Sequence, residues 1–141
     1  MKYELIINDS ITVNNINLFR IKALKSFSNV GVNELGGYIQ SEKNLSNTGN
    51  AWVYDNAWVF DDARVYGNAQ VSFQGEFITI GQFGDNYRYL TISKKDIINA
   101  GCFSGNFSDF KNAVTNKYGS DYGAYKNAII IIENYLNKKN D

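Results

Sequence analysis

Between residues 50 and 73 the chain reads NAWVYDNAWVFDDARVYGNAQVSF, one six-residue phrase written four times. The phrases are Ala51-Trp52-Val53-Tyr54, Ala57-Trp58-Val59-Phe60, Ala63-Arg64-Val65-Tyr66 and Ala69-Gln70-Val71-Ser72. Between them stand Asp55-Asn56, Asp61-Asp62 and Gly67-Asn68. In a strand, successive side chains point to opposite faces, so alanine and valine share one side and the residues between them take the other. Asp, Asn and Gly tolerate left-handed backbone and bond to their own turns, which makes each pair a corner. Strand-and-corner units of this length predict a parallel β-helix. With three units to a coil, residues eighteen apart stack: Ala51 on Ala69, Val53 on Val71 and Trp52 on Gln70. Ile39 and Leu45 continue the spacing upstream, with two extra residues before Val53 read as a loop or bulge, for about two coils in all.

Two coils leave strand edges above and below that something must cap. In SITVNNINLFRIKALKSF, two alternating runs surround Asn14-Asn15, which predicts an N-terminal hairpin. FITIGQFGDNYRYLTIS predicts two further strands around a Gly-Asp-Asn turn. NFSDFKNAVTNKYG predicts a helix with Asn106 as N-cap, Asp109 completing a capping-box-like arrangement and Gly119 as C-cap. A last helix over residues 121–137 carries Ala128, Ile131, Ile132, Tyr135 and Leu136 at helical spacing, and Ile129 and Ile130 widen its apolar face. The expected fold is therefore mainly β with C-terminal α. Residues 1–38 form a hairpin cap, 39–75 the repeat helix and 76–141 a strand and two-helix module, and a chain of 141 residues holds them as one cooperative unit.

Fourteen basic and fourteen acidic side chains cancel, so no overall field draws the chain to duplex nucleic acid or to an anionic membrane. The N-terminus resembles neither a secretory signal nor a membrane span. The single cysteine, Cys102, fits a reducing compartment, and a cytoplasmic protein is expected. The chain has no histidine, which removes the usual base of neutral pH, Ser-His-Asp and Cys-His pairs and imidazole-bound zinc. No cofactor and no catalytic residue is expected.

Two places could bind. On the outer faces of the repeat, Trp52 with Tyr54, Trp58 with Phe60, and Tyr66 beside Arg64 would form an exposed apolar patch. Either the chain's own C-terminal helices cover it, or further copies of the chain do, or it is a ligand groove; a triangular prism favours a cyclic homotrimer. The second place is AGCFSGNFSDF, where Gly101, Ser104 and Gly105 lead into a helix capped by Asn106 and present backbone N–H groups to an anion. Arg88, Lys94 and Lys95 lie nearby in sequence, and Tyr87, Tyr89 and Phe103 could stack on a base. Neither a Walker loop nor a dinucleotide fingerprint is present. Cys102 reads more readily as a small buried residue than as a reactive thiol, and Asp55, Asp61 and Asp62 more readily as turn formers than as cation ligands.

LFRIKALKSF, LGGYIQSEKNLSNTGNAWVY and the NA-x-V repeats resemble the hexapeptide-repeat proteins of bacteriophages and prophages. ITIG followed by AGCFSGNFSDFKNAV is similar to a C-terminal module of such proteins, and together the likeness spans most of residues 3–136. It implies that the parallel β-helix is left-handed. It also implies a phage-type binding protein that counters host immunity, as a homotrimer sequestering a nucleotide-derived signal at subunit boundaries. The alternative is inhibition of a host defence protein through the outer aromatic faces. Left-handed β-helix acyltransferases and gamma-type carbonic anhydrases depend on histidines absent here, so no catalytic residue carries over, and an acyltransferase-like enzyme is left as the disfavoured second alternative.

Overall fold

The computed structural model describes residues 1–13, 15–74, 77–83, 88–92, 97–100 and 103–139. The chain opens with an antiparallel hairpin of β1 (Tyr3–Val13) and β2 (Ile16–Ala23), its last pair Val13 opposite Ile16. Asn15 holds the left-handed backbone that so short a turn demands. β1 bulges between Ile6 and Ser10. There Asp9 meets the Arg20 guanidinium at 2.9 Å, and Arg20 also donates to Gly36 O at 2.7 Å and to the Tyr38 hydroxyl. Arg20 thus ties the bulge to the strands beside it.

The repeat distributes its strands between two sheets. β3 (Leu35–Ile39) and β5 (Trp58–Val59) pair in parallel in a four-stranded sheet of order β1-β2-β3-β5. β4 (Trp52–Asp55) and β6 (Gln70–Gln74) pair in parallel in a six-stranded sheet. That sheet continues through β7 (Phe77–Phe83), β8 (Arg88–Ile92), β9 (Ile98–Ala100) and β10 (Phe103–Gly105), all antiparallel, in the order β10-β9-β8-β7-β6-β4.

The parallel β-helix expected from the repeat, and its left-handed form implied by the resemblance, are corrected by this topology. Each parallel pair is followed at once by an antiparallel neighbour, β2 on β3 and β7 on β6. The sheets are mixed, and they neither close nor curl into a solenoid. The physical reason is competition for sheet edges: a hairpin partner offers a full ladder at small loop cost, whereas another coil would need more repeat than the chain has. With the three-sided column goes the symmetry argument for a trimer.

Within that topology the local reading of the repeat is visible. Trp52 stands opposite Gln70 and Val53 opposite Val71, eighteen apart, while Ile39 pairs with Val59 and Leu45 with Val65, twenty apart. The difference is the two extra residues before Val53. Asp55, Asp61 and Gly67, the first residue of each corner, all have positive φ, at 57°, 54° and 63°. Each corner is closed by a backbone bond, from Ala57 N to Tyr54 O, Ala63 N to Phe60 O and Ala69 N to Tyr66 O. Ala51, Ala57, Ala63, Val53, Val59, Val65 and Val71 are all buried in the core.

α1 (Phe107–Tyr118) starts where the Asn106 side chain accepts from Asp109 N at 2.8 Å and ends at Gly119, whose N–H reaches Thr115 O. α2 (Lys126–Lys139) begins later than expected. Left-handed backbone at Tyr122 and Gly123 sets a single 3-10 turn, Gly123–Tyr125, before it. Ala128, Ile129, Ile131 and Ile132 bury its apolar face. No helix among the described residues is long and apolar enough to cross a membrane.

Candidate functional site

The outer aromatic faces are largely covered by the chain itself. Trp52 is fully buried, with Phe27 at 5.3 Å and Tyr3 at 6.3 Å, both edge-on. Phe60 is buried with Val13, Leu18 and Tyr38 of the first sheet. Trp58 is half-buried beside Tyr135 of α2, and Tyr54 is half-buried against the main core. Alternation does turn these rings away from the alanine and valine side. The expectation that they face water is corrected because N-terminal segments, which are not among the three covers expected, close over Trp52 and Phe60, while α2 covers Trp58. Of the five, only Tyr66 stands in solvent, 58 % exposed.

The expected anion loop falls partly outside the described residues: Tyr87, Lys94, Lys95, Gly101 and Cys102 lie there. Arg88 and Tyr89 are on β8, opposite Phe83 and Gly81 of β7. Phe103, Ser104 and Gly105 form β10, from which β8 is separated by β9. Asn106 uses its side-chain oxygen to cap α1, and Asp109 places a carboxylate in the first helical turn, where an anion would have to approach. Among the described residues no cluster of three or more His, Cys, Asp or Glu side chains could hold a metal ion.

What the fold assembles instead is a polar cleft of about 500 Å³ over the rungs around Leu45 and Val65. Its construction starts with Ser41, which caps a 3-10 turn at Glu42–Asn44 by exchanging bonds with it: Lys43 N donates to Ser41 Oγ and Ser41 N to Asn44 Oδ1. Buried Asn44 then donates to Asp61 O and Ala63 O, fixing this turn against the corner of the next rung. Leu45 and Val65 pair in parallel and point into the core, so Arg64 and Tyr66, one residue to either side of Val65, stand outward. Ser46 and Thr48, their hydroxyls 3.1 Å apart, complete the wall. Asn127 of α2 closes it, its side-chain oxygen accepting from Arg64 N at 3.1 Å.

The cleft thus gathers Lys43, Arg64, Tyr66, Glu42, two hydroxyls and an amide. Lys43 and Arg64 are exposed, and among the described residues no ion pair engages either. Sequence reasoning placed Arg64 beside Tyr66 on an outer face but did not see the cleft. The available signal was the second position of the repeat, which runs Trp52, Trp58, Arg64, Gln70: arginine replaces tryptophan on the rung that lines the cleft.

Two buried polar groups of the N-terminal segment anchor the backbone at Leu45 and Ala51. Lys2 is buried, its ammonium donating to Ala51 O at 2.8 Å and lying 4.8 Å over the Phe27 ring. The Tyr3 hydroxyl donates to Leu45 O at 2.6 Å. Burial, with the Lys25 charge as the smaller cause, pulls the Lys2 pKa down to about 8. Burial, with Glu42 second, pushes that of Tyr3 up to about 12. A lysine whose folded pKa is depressed adds stability as pH rises from about 8 through its unfolded value of 10.5, because the unfolded chain holds the proton more tightly. A tyrosine whose folded pKa is raised loses stability as pH climbs from its unfolded value of 10.0 toward about 12. The melting temperature is therefore expected to rise above pH 8, peak near pH 10 and fall beyond it. Thermal denaturation across that range checks this: Lys2→Met should flatten the rising limb and Tyr3→Phe the falling one.

Comparison with protein-family models and with curated proteins finds no match for the chain. The resemblance to hexapeptide-repeat phage proteins is corrected on that ground as well as on the sheet topology.

Proposed function

We propose that this chain is a non-catalytic binding protein whose cleft between residues 42–48 and 64–67 holds a small anionic ligand of the nucleotide type. The observation that carries the reading is the pairing of two solvated cations, Lys43 and Arg64, with one open ring, Tyr66, in an open cleft of about 500 Å³. Small-ligand sites span about 300–1,000 Å³. A guanidinium fork bonds phosphate oxygens two at a time and an ammonium adds a point charge, while an exposed tyrosine face stacks on any base. Ser46, Thr48, Asn127 and the Glu42 carboxylate offer partners for sugar hydroxyls. Backbone bonds and the Asn44 side chain position the rungs, so binding requires little reorganisation of the wall.

The test is calorimetric titration of the purified protein with AMP, ATP and inorganic phosphate, on the parent chain and on Arg64→Ala and Lys43→Ala. A charge-assisted bond is worth about 1.5–3 kcal/mol, so each variant should bind about 10- to 100-fold more weakly with the fold unchanged. Adenosine, which lacks phosphate, should bind less tightly than AMP. If none of the phosphates binds, or both variants bind as the parent does, the reading is wrong. Native mass spectrometry of the same preparation reads subunit number and any retained small molecule together.

A further inference from the structure

A second cleft, on the far module and independent of the polar one, has a different chemistry. α1 lies against β10 and the 3-10 turn before α2, leaving an open groove of about 170 Å³. Its walls are four rings in sequence contact: Phe103 to Phe110 at 5.4 Å, Phe110 to Tyr125 at 6.0 Å and Tyr125 to Tyr118 at 5.3 Å. The inner pair, Phe110 and Tyr125, is buried, while the end rings Phe103 and Tyr118 are half-buried.

Helical spacing supplies the floor. Phe110, Ala113 and Lys117 follow one another at intervals of three and four residues, so they share one face of α1. Ala113 is exposed and its methyl leaves the groove its depth. Lys117 stands at the mouth with its ammonium 5.4 Å from the centre of the Tyr118 ring. Among the described residues that line the groove, Lys117 alone carries a charge.

We propose that this groove is a binding site for a single-ring aromatic carboxylate. The volume suits one ring: an engineered apolar cavity of about 150 Å³ holds benzene, close to this groove's volume of about 170 Å³. Ring geometry selects an aromatic occupant, because a planar ring seated in the groove adds a further offset or edge-on contact to the tilted and edge-on ring contacts already present. The lone ammonium at the rim selects an acid over an amine.

The probes are benzoate and benzylamine, followed by amide chemical shifts of the isotopically labelled full chain. Benzoate should give saturable shifts confined to α1, β10 and residues 123–125, and benzylamine should give none. Ala113→Leu places a side chain in the groove from an exposed helix position and should weaken benzoate at least tenfold. Lys117→Glu should reverse the preference, so that benzylamine binds and benzoate does not. Both replacements are good helix formers, and an unchanged spectrum elsewhere in the chain establishes that the fold is kept. The proposal is overturned by any of three results: no saturable shift at about 10 mM benzoate, where a site with Kd about 1 mM would be nine-tenths filled; undiminished benzoate binding by Ala113→Leu; or unreversed preference in Lys117→Glu. None of these bears on the polar cleft, whose residues lie on other elements.

Discussion

Replacing Trp52 by alanine is expected to cost about 3–5 kcal/mol of stability, the range seen when a buried aromatic is truncated. The indole is fully buried and is held edge-on by Tyr3 and Phe27, two residues that reach it from opposite ends of the hairpin segment. Its removal would leave a void beside a strand fixed to its neighbour by backbone bonds: Trp52 N donates to Ala69 O, and Val53 pairs with Val71 of β6. Such a strand cannot collapse into the space. Phe27, over whose ring the Lys2 ammonium lies at 4.8 Å, would lose its backing. The loss is one of packing, since the indole N–H has no hydrogen-bond partner among the described residues and its removal orphans no acceptor there. Urea denaturation should show the midpoint falling with little change in slope. Tyr66→Ala, at the exposed ring of the same repeat, should stay within about 0.5 kcal/mol of the parent. Equal costs at the two positions would mean that the covering by Tyr3 and Phe27 does not contribute.

That contrast marks what the amino-acid pattern makes legible and what it does not. Corner residues are legible because left-handed backbone is a local property: Asp55, Asp61 and Gly67 could be picked out by residue type and each has positive φ. Side-chain alternation is equally local, so the buried alanines and valines and the outward direction of Arg64 and Tyr66 follow from the phrase alone. The hairpin turn at Asn15 and the cap at Asn106 belong to the same class. Strand partnership is not local. Nothing in a six-residue phrase says whether the free edge of β6 will take another coil or the antiparallel β7, and here β7 took it. The cover over Trp52 comes from Tyr3 and Phe27, and the closing wall of the polar cleft from Asn127, all distant in sequence from the rungs they meet. Lys43 reaches the cleft only because the Ser41 and Asn44 bonds fold a turn there, a signal of capping-box type that the repeat spacing does not contain.

Gly37→Ala should cost about 2–4 kcal/mol, approaching the loss of the Trp52 indole but for a different reason. A Cβ built on Gly37 would lie 2.6 Å from Ala57 O and 2.7 Å from a Val53 methyl. Neither can yield. Ala57 O is the acceptor for Tyr38 N at 2.9 Å, one of the bonds that hold β3 beside β5, and Val53 is fully buried. Overpacking of this kind costs about 1–3 kcal/mol, and displacing Ala57 adds about 1 kcal/mol for a lost hydrogen bond. Gly36→Ala meets Val53 O at 2.5 Å and the Ile21 side chain at 2.7 Å, so the pair of glycines marks where β3 crosses against β4 with no room for any side chain. Two further glycines separate this steric cause from backbone freedom. Gly67 has φ of 63° and nothing within 4 Å of a built Cβ, so Gly67→Ala should cost only the left-handed penalty, about 1–2 kcal/mol. Gly31 has open space and no positive φ, and Gly31→Ala should be neutral or stabilising by up to about 1 kcal/mol. The expected order of unfolding midpoints is therefore Gly31→Ala, then Gly67→Ala, then Gly37→Ala lowest. If Gly37→Ala instead matched Gly67→Ala, the close approach of β3 to β4 and β5 would not be what requires glycine, and the packing that sets the two sheets together would have to be redrawn.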